Sequence, residues 1–396
     1  MGKTAKSWKT RLMHSDAKVP TGFRSLATPV YRGSTTLFPD AASVNDTWDQ
    51  YEAGYTYGLY GTPTTLELAA RICELENGYR TFITPGGQNA IALVNLAFLK
   101  SGDHILVPEN IYSPNRKLVY HVLRRLGVEA TFYDPLIGGG IKDLLRGNTR
   151  LVWTESPGSI TMEVQDIPAI AAAAHARGRD EQRVLVVLDN TWAAGIYFDA
   201  FAHGVDITLQ ALTKYVGGHS DLLLGSVTVK EEALYQQLGV THQVLGCAAS
   251  PDDCSLALRG MKTMAVRLKH IEKSALDIAR WLAQRAEIEL VLHPALASCP
   301  GHEFWARDSE GSTGVFSIVF RRDVKKEQVL RFVDELELFE IGYSWAGVTS
   351  LAVAYDFAGS KGRPDYGHRI VRFSIGLEDT KDLIADLERC LEGLRK

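Results

Sequence analysis

Cysteine is scarce in this chain of 396 residues: five, at positions 73, 247, 254, 299 and 390, with no C-x-x-C pair and no Cys/His cluster of zinc spacing. That pattern excludes a disulfide framework and a structural zinc site, and it reads as reduced thiols. No apolar run approaches the roughly 20 residues that a membrane helix needs. The first 19 residues are polar and basic and lack the apolar stretch of a secretory signal. The net charge is only −4, so no basic excess recommends nucleic acid or an anionic membrane surface as a partner. Internal repeats and low-complexity tracts are also missing. These absences leave a cytoplasmic globular protein as the expectation.

What is present is a globular composition, 45% hydrophobic and 23% charged, in a chain too long for one ordinary core. Residues 1–60 show little periodicity and are rich in Tyr, Thr, Gly and Pro; they read as an extended arm, expected to lie on a partner subunit. From 61 to 255, strand-length apolar runs at 81–84, 104–107, 130–133, 151–154, 184–188, 207–212 and 225–229 alternate with helical patterns at 89–100, 114–126 and 168–177. Such alternation predicts an α/β unit with a parallel or mixed sheet covered on both faces. Its ligand crevice belongs at the C-terminal ends of the strands. A long helical pattern at 255–286 leads into a smaller α+β unit, with apolar runs at 315–320 and 370–375 and helical patterns at 325–337 and 379–394. The expected division is therefore 1–60 arm, 61–255 large domain, and 256–396 linker helix with small domain.

Three predicted strand ends carry polar chemistry. The run 81–84 is followed by Pro85-Gly86-Gly87-Gln88 and a helix. This is either a plain tight turn or a set of free backbone N–H groups that suits a phosphate. The run 184–188 ends in Asp189-Asn190-Thr191. A carboxylate there is either salt-bridged structure or the partner of a protonated heterocycle nitrogen. The run 207–212 ends in Thr213-Lys214-Tyr215, then Gly217-Gly218. Lys214 is either a solvated end residue or a desolvated amine able to condense with a carbonyl. Taken together, an anion cradle, a carboxylate and a lysine match the phosphate, ring nitrogen and aldehyde of pyridoxal 5′-phosphate (PLP). Tyr112, just past the run 104–107, is placed to stack on the ring. No metal is called for.

At these residues the chain resembles the Cys/Met-metabolism family of PLP enzymes, and within it the bacterial cystathionine β-lyases. The matching stretches are Glu155 to Val164, Asp189-Asn190-Thr191-Trp192, Thr213-Lys214-Tyr215, Gly218-His219-Ser220-Asp221, His302-Glu303-Phe304-Trp305, Tyr343-Ser344-Trp345, and Arg372 with Ile375-Gly376-Leu377-Glu378-Asp379. The resemblance implies an aspartate aminotransferase-like, fold type I architecture and a homotetramer whose dimers share active sites. It implies that Lys214 carries PLP as a Schiff base, that Asp189 pairs with the ring nitrogen and that Tyr112 stacks on the ring. Gly87, Gln88 and the Thr213 hydroxyl would hold the phosphate. Arg372 would clamp the substrate carboxylate, with Trp345, Ser344 and Tyr343 beside it, and Tyr57 would enter the neighbouring subunit's site.

Two positions depart from the family pattern. Leu59 stands where members often have an arginine that reaches the phosphate, and Ala211 stands where many have serine. Relatives acting at the γ-carbon resemble one another in carrying Glu at the position of Tyr343, so the resemblance implies β-elimination of L-cystathionine to homocysteine, pyruvate and ammonia. The alternatives are a γ-lyase, a homoserine-ester sulfhydrylase and a cysteine desulfhydrase. His219 and Asp221, near Lys214, are further candidates for catalytic or supporting roles.

Overall fold

A computed structural model describes residues 22, 25–178, 183–359 and 364–394. It contains two sheets. The first has seven strands: β1 (Arg80–Thr84), β2 (His104–Pro108), β3 (Glu129–Tyr133), β4 (Thr149–Glu155), β5 (Leu185–Asp189), β6 (Ile207–Ala211) and β7 (Gly225–Val229). Their spatial order is β1-β7-β6-β5-β4-β2-β3. Only β7 runs against its neighbours, so β1, β2, β4, β5 and β6 all deliver their C-terminal ends to one edge. The sheet is mixed, and helices cover both faces. The strand period of two sends Ile105, Val107, Leu151, Trp153 and Val187 to one core, and Leu106, Val152, Val186 and Leu188 to the other. This is why the central strands read as unbroken apolar runs.

The 32-residue helix Pro251–Leu282 leads from the first sheet to the second. Ser250 caps it by accepting from the Asp253 N–H, and Pro251 sits at the first helical position, where a missing N–H does no harm. It therefore starts four residues before the sequence pattern placed it. The second sheet joins β8 (Ile288–Leu292), β9 (Val315–Phe320), β10 (Glu340–Ile341), β11 (Leu351–Phe357) and β12 (Gly367–Ser374) in the order β10-β11-β12-β9-β8. Helices Lys326–Asp334 and Thr380–Gly393 pack on it through Val329, Phe332, Leu383 and Leu387. The pattern at 114–126 splits into an α-helix, Ser113–His121, and a 3-10 turn, Leu123–Leu126, closed by Gly127 in the left-handed region. Helices Pro63–Leu75 and Glu232–Leu245 and strands β8 and β11 went unread in the sequence.

The arm departs from expectation over part of its length. Residues 46–60 lie on their own chain. The Trp48 ring packs against Phe82 and Tyr235, and Gly239 leaves the space: a Cβ there would stand 2.1 Å from the indole. The Tyr235 hydroxyl donates to Asp49, and the Tyr60 hydroxyl donates to Asp46. A partly buried indole and paired hydroxyls anchor this stretch, which its low periodicity did not reveal.

Glu76, just past the helix Pro63–Leu75, is buried under β6 and β7 and accepts from the Thr228 hydroxyl at 2.7 Å. Burial pushes its carboxyl from 4.5 up to about 7. The folded chain thus holds this proton more tightly than the unfolded chain does. The contribution to stability is whole below pH 4.5 and is lost as pH rises through 7. Glu76→Gln, neutral at every pH, should match the parent near pH 4.5 and exceed it at pH 8 by roughly 3 kcal/mol. Thermal melts across that range check the sign.

Candidate active site

A cleft of about 500 Å³ opens where the strand ends of the first sheet face the second. Gly86, Gly87, Gln88, Tyr112, Glu155, Asp189, Thr213, Lys214, Tyr343, Ser344, Trp345 and Arg372 all line it. Ten of the eleven site residues expected from the sequence are therefore brought together. The exception is Tyr57, which is partly exposed, bridges to Thr35 and lies outside its own chain's cleft. His219 and Asp221 also lie outside it; the His219 ring Nδ1 is bonded to the Gly217 carbonyl instead.

Each position follows from local structure. β1 ends at Thr84, and the turn through Gly86 opens the 12-residue helix Gly87–Phe98 with no side chain capping its first N–H groups. Gly87 lies against the end of β6: a Cβ would stand 2.9 Å from the Ala211 Cβ. Alanine at 211 therefore seats the turn by packing but offers no hydroxyl donor. The Thr213 hydroxyl spans to Leu224, donating to its carbonyl and accepting from its N–H, both at 3.2 Å. To hold an anion it would have to turn away from that carbonyl.

The carboxyl of Asp189, at the end of β5, accepts the Thr191 N–H at 3.1 Å and the Thr191 hydroxyl at 2.5 Å, both on Oδ1. Thr191 Oγ1 in turn accepts the Ala211 N–H at 3.0 Å, which ties β5 to β6. Beside Asp189 in register stands Glu155, at the end of β4. Glu155 accepts the Tyr112 N–H and the Ser159 hydroxyl, each at 2.6 Å. Burial, with the neighbouring Asp189 charge, pushes the Glu155 carboxyl up to about 8; burial raises Asp189 as well. Two carboxyls this close do not both ionise readily. The sequence reading quoted Glu155 within a motif but gave it no role; the alignment of strand ends across the sheet is what singles it out.

Lys214 follows β6. Burial and the nearby Arg372 charge lower its amine to about 8. The amine donates to Ser344 Oγ at 2.9 Å and stands 4.8 Å from the Trp345 ring centre. Arg372, on β12, is buried, and burial lowers its pKa. Its Nη2 donates to the carbonyls of Tyr343, at 2.8 Å, and Ser344, at 3.2 Å, while its Nε has no partner among the described residues. A guanidinium that lines the cleft is a ready receptor for a carboxylate. Ser344→Ala should remove one neutral bond to the Lys214 amine and lower kcat/KM by about 10-fold or less. Steady-state kinetics on the purified variant check this.

The sequence profile of the Cys/Met metabolism PLP-dependent enzymes matches residues 9–392. The chain belongs to that family. Cystathionine β-lyase MetC of Escherichia coli K12 is 37% identical to it, over 97% of this chain and 98% of its own. A cystathionine β-lyase of Haemophilus influenzae is 36% identical over 97% and 98%. The crystal structure of metB from Corynebacterium glutamicum superposes with a TM-score of 0.86 at 29% identity, covering 98% of each chain. The fold is that of this PLP family, and PLP is the cofactor. The cleft of this Cys/Met-family enzyme fits that group. The uncapped helix start at Gly87 and Gln88 suits the phosphate, the free Oδ2 side of Asp189 suits a ring nitrogen, and the Lys214 amine suits the aldehyde.

Proposed function

We propose that the chain is a carbon–sulfur β-lyase that cleaves L-cystathionine to homocysteine, pyruvate and ammonia, a step of methionine biosynthesis in the cytoplasm. Residues 61–255 would carry the cofactor and 256–396 would close the cleft over it. The observation that carries β over γ chemistry is the neutral lip at Tyr343, Ser344 and Trp345, which places no carboxyl there to move a proton at Cβ. The names of the Escherichia coli and Haemophilus influenzae relatives agree with it.

When bound, PLP supplies an electron sink for the charge left on Cα as its proton departs. The protein's residues do the rest. Arg372 receives the α-carboxylate at the cleft, and the Trp345 ring lines the same cleft. This fixes the substrate so that the Cα–H bond points at Lys214. With its pKa near 8, a Lys214 amine released by the incoming substrate is partly uncharged at neutral pH and takes that proton. The Cβ–S bond breaks, and Lys214 or Tyr112 returns a proton to the homocysteine sulfur. The three-carbon remainder leaves as an enamine and takes up water to give pyruvate and ammonia. Asp189 would hold the ring nitrogen, and the Glu155 bond to the Tyr112 N–H holds that tyrosine at the cleft. Gly87 and Gln88 would anchor the phosphate. Tyr57, exposed and outside its own cleft, would act in the neighbouring subunit of a homotetramer.

Incubation with L-cystathionine tests the reading through its keto acid. Pyruvate is expected. 2-Oxobutyrate would establish γ chemistry in its place, and sulfide release from cysteine with a higher kcat/KM would make the chain a desulfhydrase.

A further inference from the structure

Arg267 lies on the helix Pro251–Leu282, outside the cleft, and is only 4% exposed. No carboxylate pairs with it among the described residues. Its Nη2 donates to the carbonyls of Tyr215, at 2.8 Å, and Gly260, at 2.9 Å, and its Nε donates to Thr263 Oγ1 at 3.2 Å. Its Nη1 has no partner among the described residues. Burial lowers its pKa. A buried cation without a counter-ion is a poor way to stabilise a core; an apolar side chain of similar volume does as well or better. The position therefore asks for a role other than stability.

The guanidinium lies directly behind the turn that begins at Lys214. Gly218 has φ +74°, and a Cβ there would stand 2.2 Å from Arg267 Nη1. The Gly218 N–H donates to the Lys214 carbonyl at 2.7 Å, and the Gly217 N–H donates to the Leu212 carbonyl at 2.8 Å. Gly260, one of the two residues whose carbonyls Arg267 holds, brings the helix backbone against this turn: a Cβ on it would meet the Val216 carbonyl oxygen at 2.2 Å. Tyr215 also ties the turn to the second sheet, its hydroxyl accepting the Gly314 N–H at 3.1 Å. The Lys214 N–H itself donates to the Ala211 carbonyl at 3.0 Å, but the far side of the turn is held by the guanidinium and the glycines packed on it.

We propose that Arg267 is a positioning residue for Lys214: it clamps the 214–218 turn to the long helix so that the amine stands at the cleft beside Ser344. The proposal rests on the reading of Lys214 as the PLP-bearing lysine. Methionine at 267 keeps the volume and removes the donors; lysine restores donors to the Tyr215 carbonyl.

The test uses the holoenzyme of the parent, R267M, R267K, G218A and R267M/G218A. Four quantities are read: kcat, KM, Tm, and the pH midpoint of the visible absorbance of the Lys214-linked cofactor. R267M should keep the parent's Tm, lose about 30-fold in kcat with KM within about three-fold, and show a displaced midpoint. R267K should recover most of the lost kcat. G218A should be severe by itself, since alanine is strained at that φ and meets the guanidinium, yet add less than its full effect in the R267M background. If R267M does not fold, R267K decides on the same readouts: a displaced midpoint with reduced kcat supports the clamp. Unchanged kcat and midpoint in a folded Arg267 variant, or Tm and kcat falling together with the midpoint fixed, overturn it. A parent holoenzyme with no Lys214-linked absorbance would instead defeat the underlying reading of Lys214.

Discussion

Lys214→Ala is expected to lower kcat by at least about 1,000-fold and to abolish the visible absorbance of the lysine-linked cofactor. In the proposed function Lys214 would do two things: hold the cofactor covalently and, once released, carry protons from Cα to sulfur. Its environment suits both. The side chain is largely buried at a strand end, and desolvation together with the Arg372 charge lowers the amine to about 8. The two carboxyls of the cleft are poor substitutes as the base at Cα, since burial raises the pKa of both Glu155 and Asp189. Borohydride reduction followed by peptide mapping should place the pyridoxyl label on position 214 in the parent and nowhere in the variant. A variant that kept both colour and turnover would end the assignment.

Arg372→Leu is expected to raise KM by about 100-fold, with a smaller fall in kcat, because each charge-assisted bond to a buried partner is worth about 1.5–3 kcal/mol. The loss should exceed that of a surface arginine because this guanidinium is buried and already spends one nitrogen on the Tyr343 and Ser344 carbonyls. Leucine would therefore also free the segment between β10 and β11 that bears Ser344 and Trp345. A second readout follows from charge. Arg372 is a cation that lowers the Lys214 pKa, so removing it lets that pKa rise. The acid limb of the kcat–pH profile should move to higher pH in the variant. Arg372→Lys keeps a charge but not the planar fork, and it should recover only part of the KM. A variant with parental KM would show that the carboxylate is held elsewhere.

Much of this protein was legible in the order of its residues. The runs of the central strands stood out because a strand buried on both faces is largely apolar, and all seven runs of the first sheet are strands with ends shifted by no more than two residues. The chemistry at the ends of β1, β5 and β6 was legible for a related reason: polar or glycine residues directly after such a run have nowhere to go but the sheet edge. The second sheet was only half read. β8 and β11 both include exposed or partly exposed positions, so their local pattern is weak; pairing with β9 and β12 makes them strands.

The sequence by itself determined the fold class, the lysine, the carboxylate and the glycine turn, since period, burial and turn chemistry are local properties. Only the tertiary structure decided three other matters. Glu155 stands beside Asp189 because β4 and β5 pair in a particular register. Arg372 reaches Lys214 because a second sheet closes over the first. Arg267 lies behind the lysine turn because glycines at 218 and 260 let a helix approach the backbone closely. Each is a meeting of residues far apart in the chain, and which of many possible meetings occurs is set by the packing of whole sheets and helices.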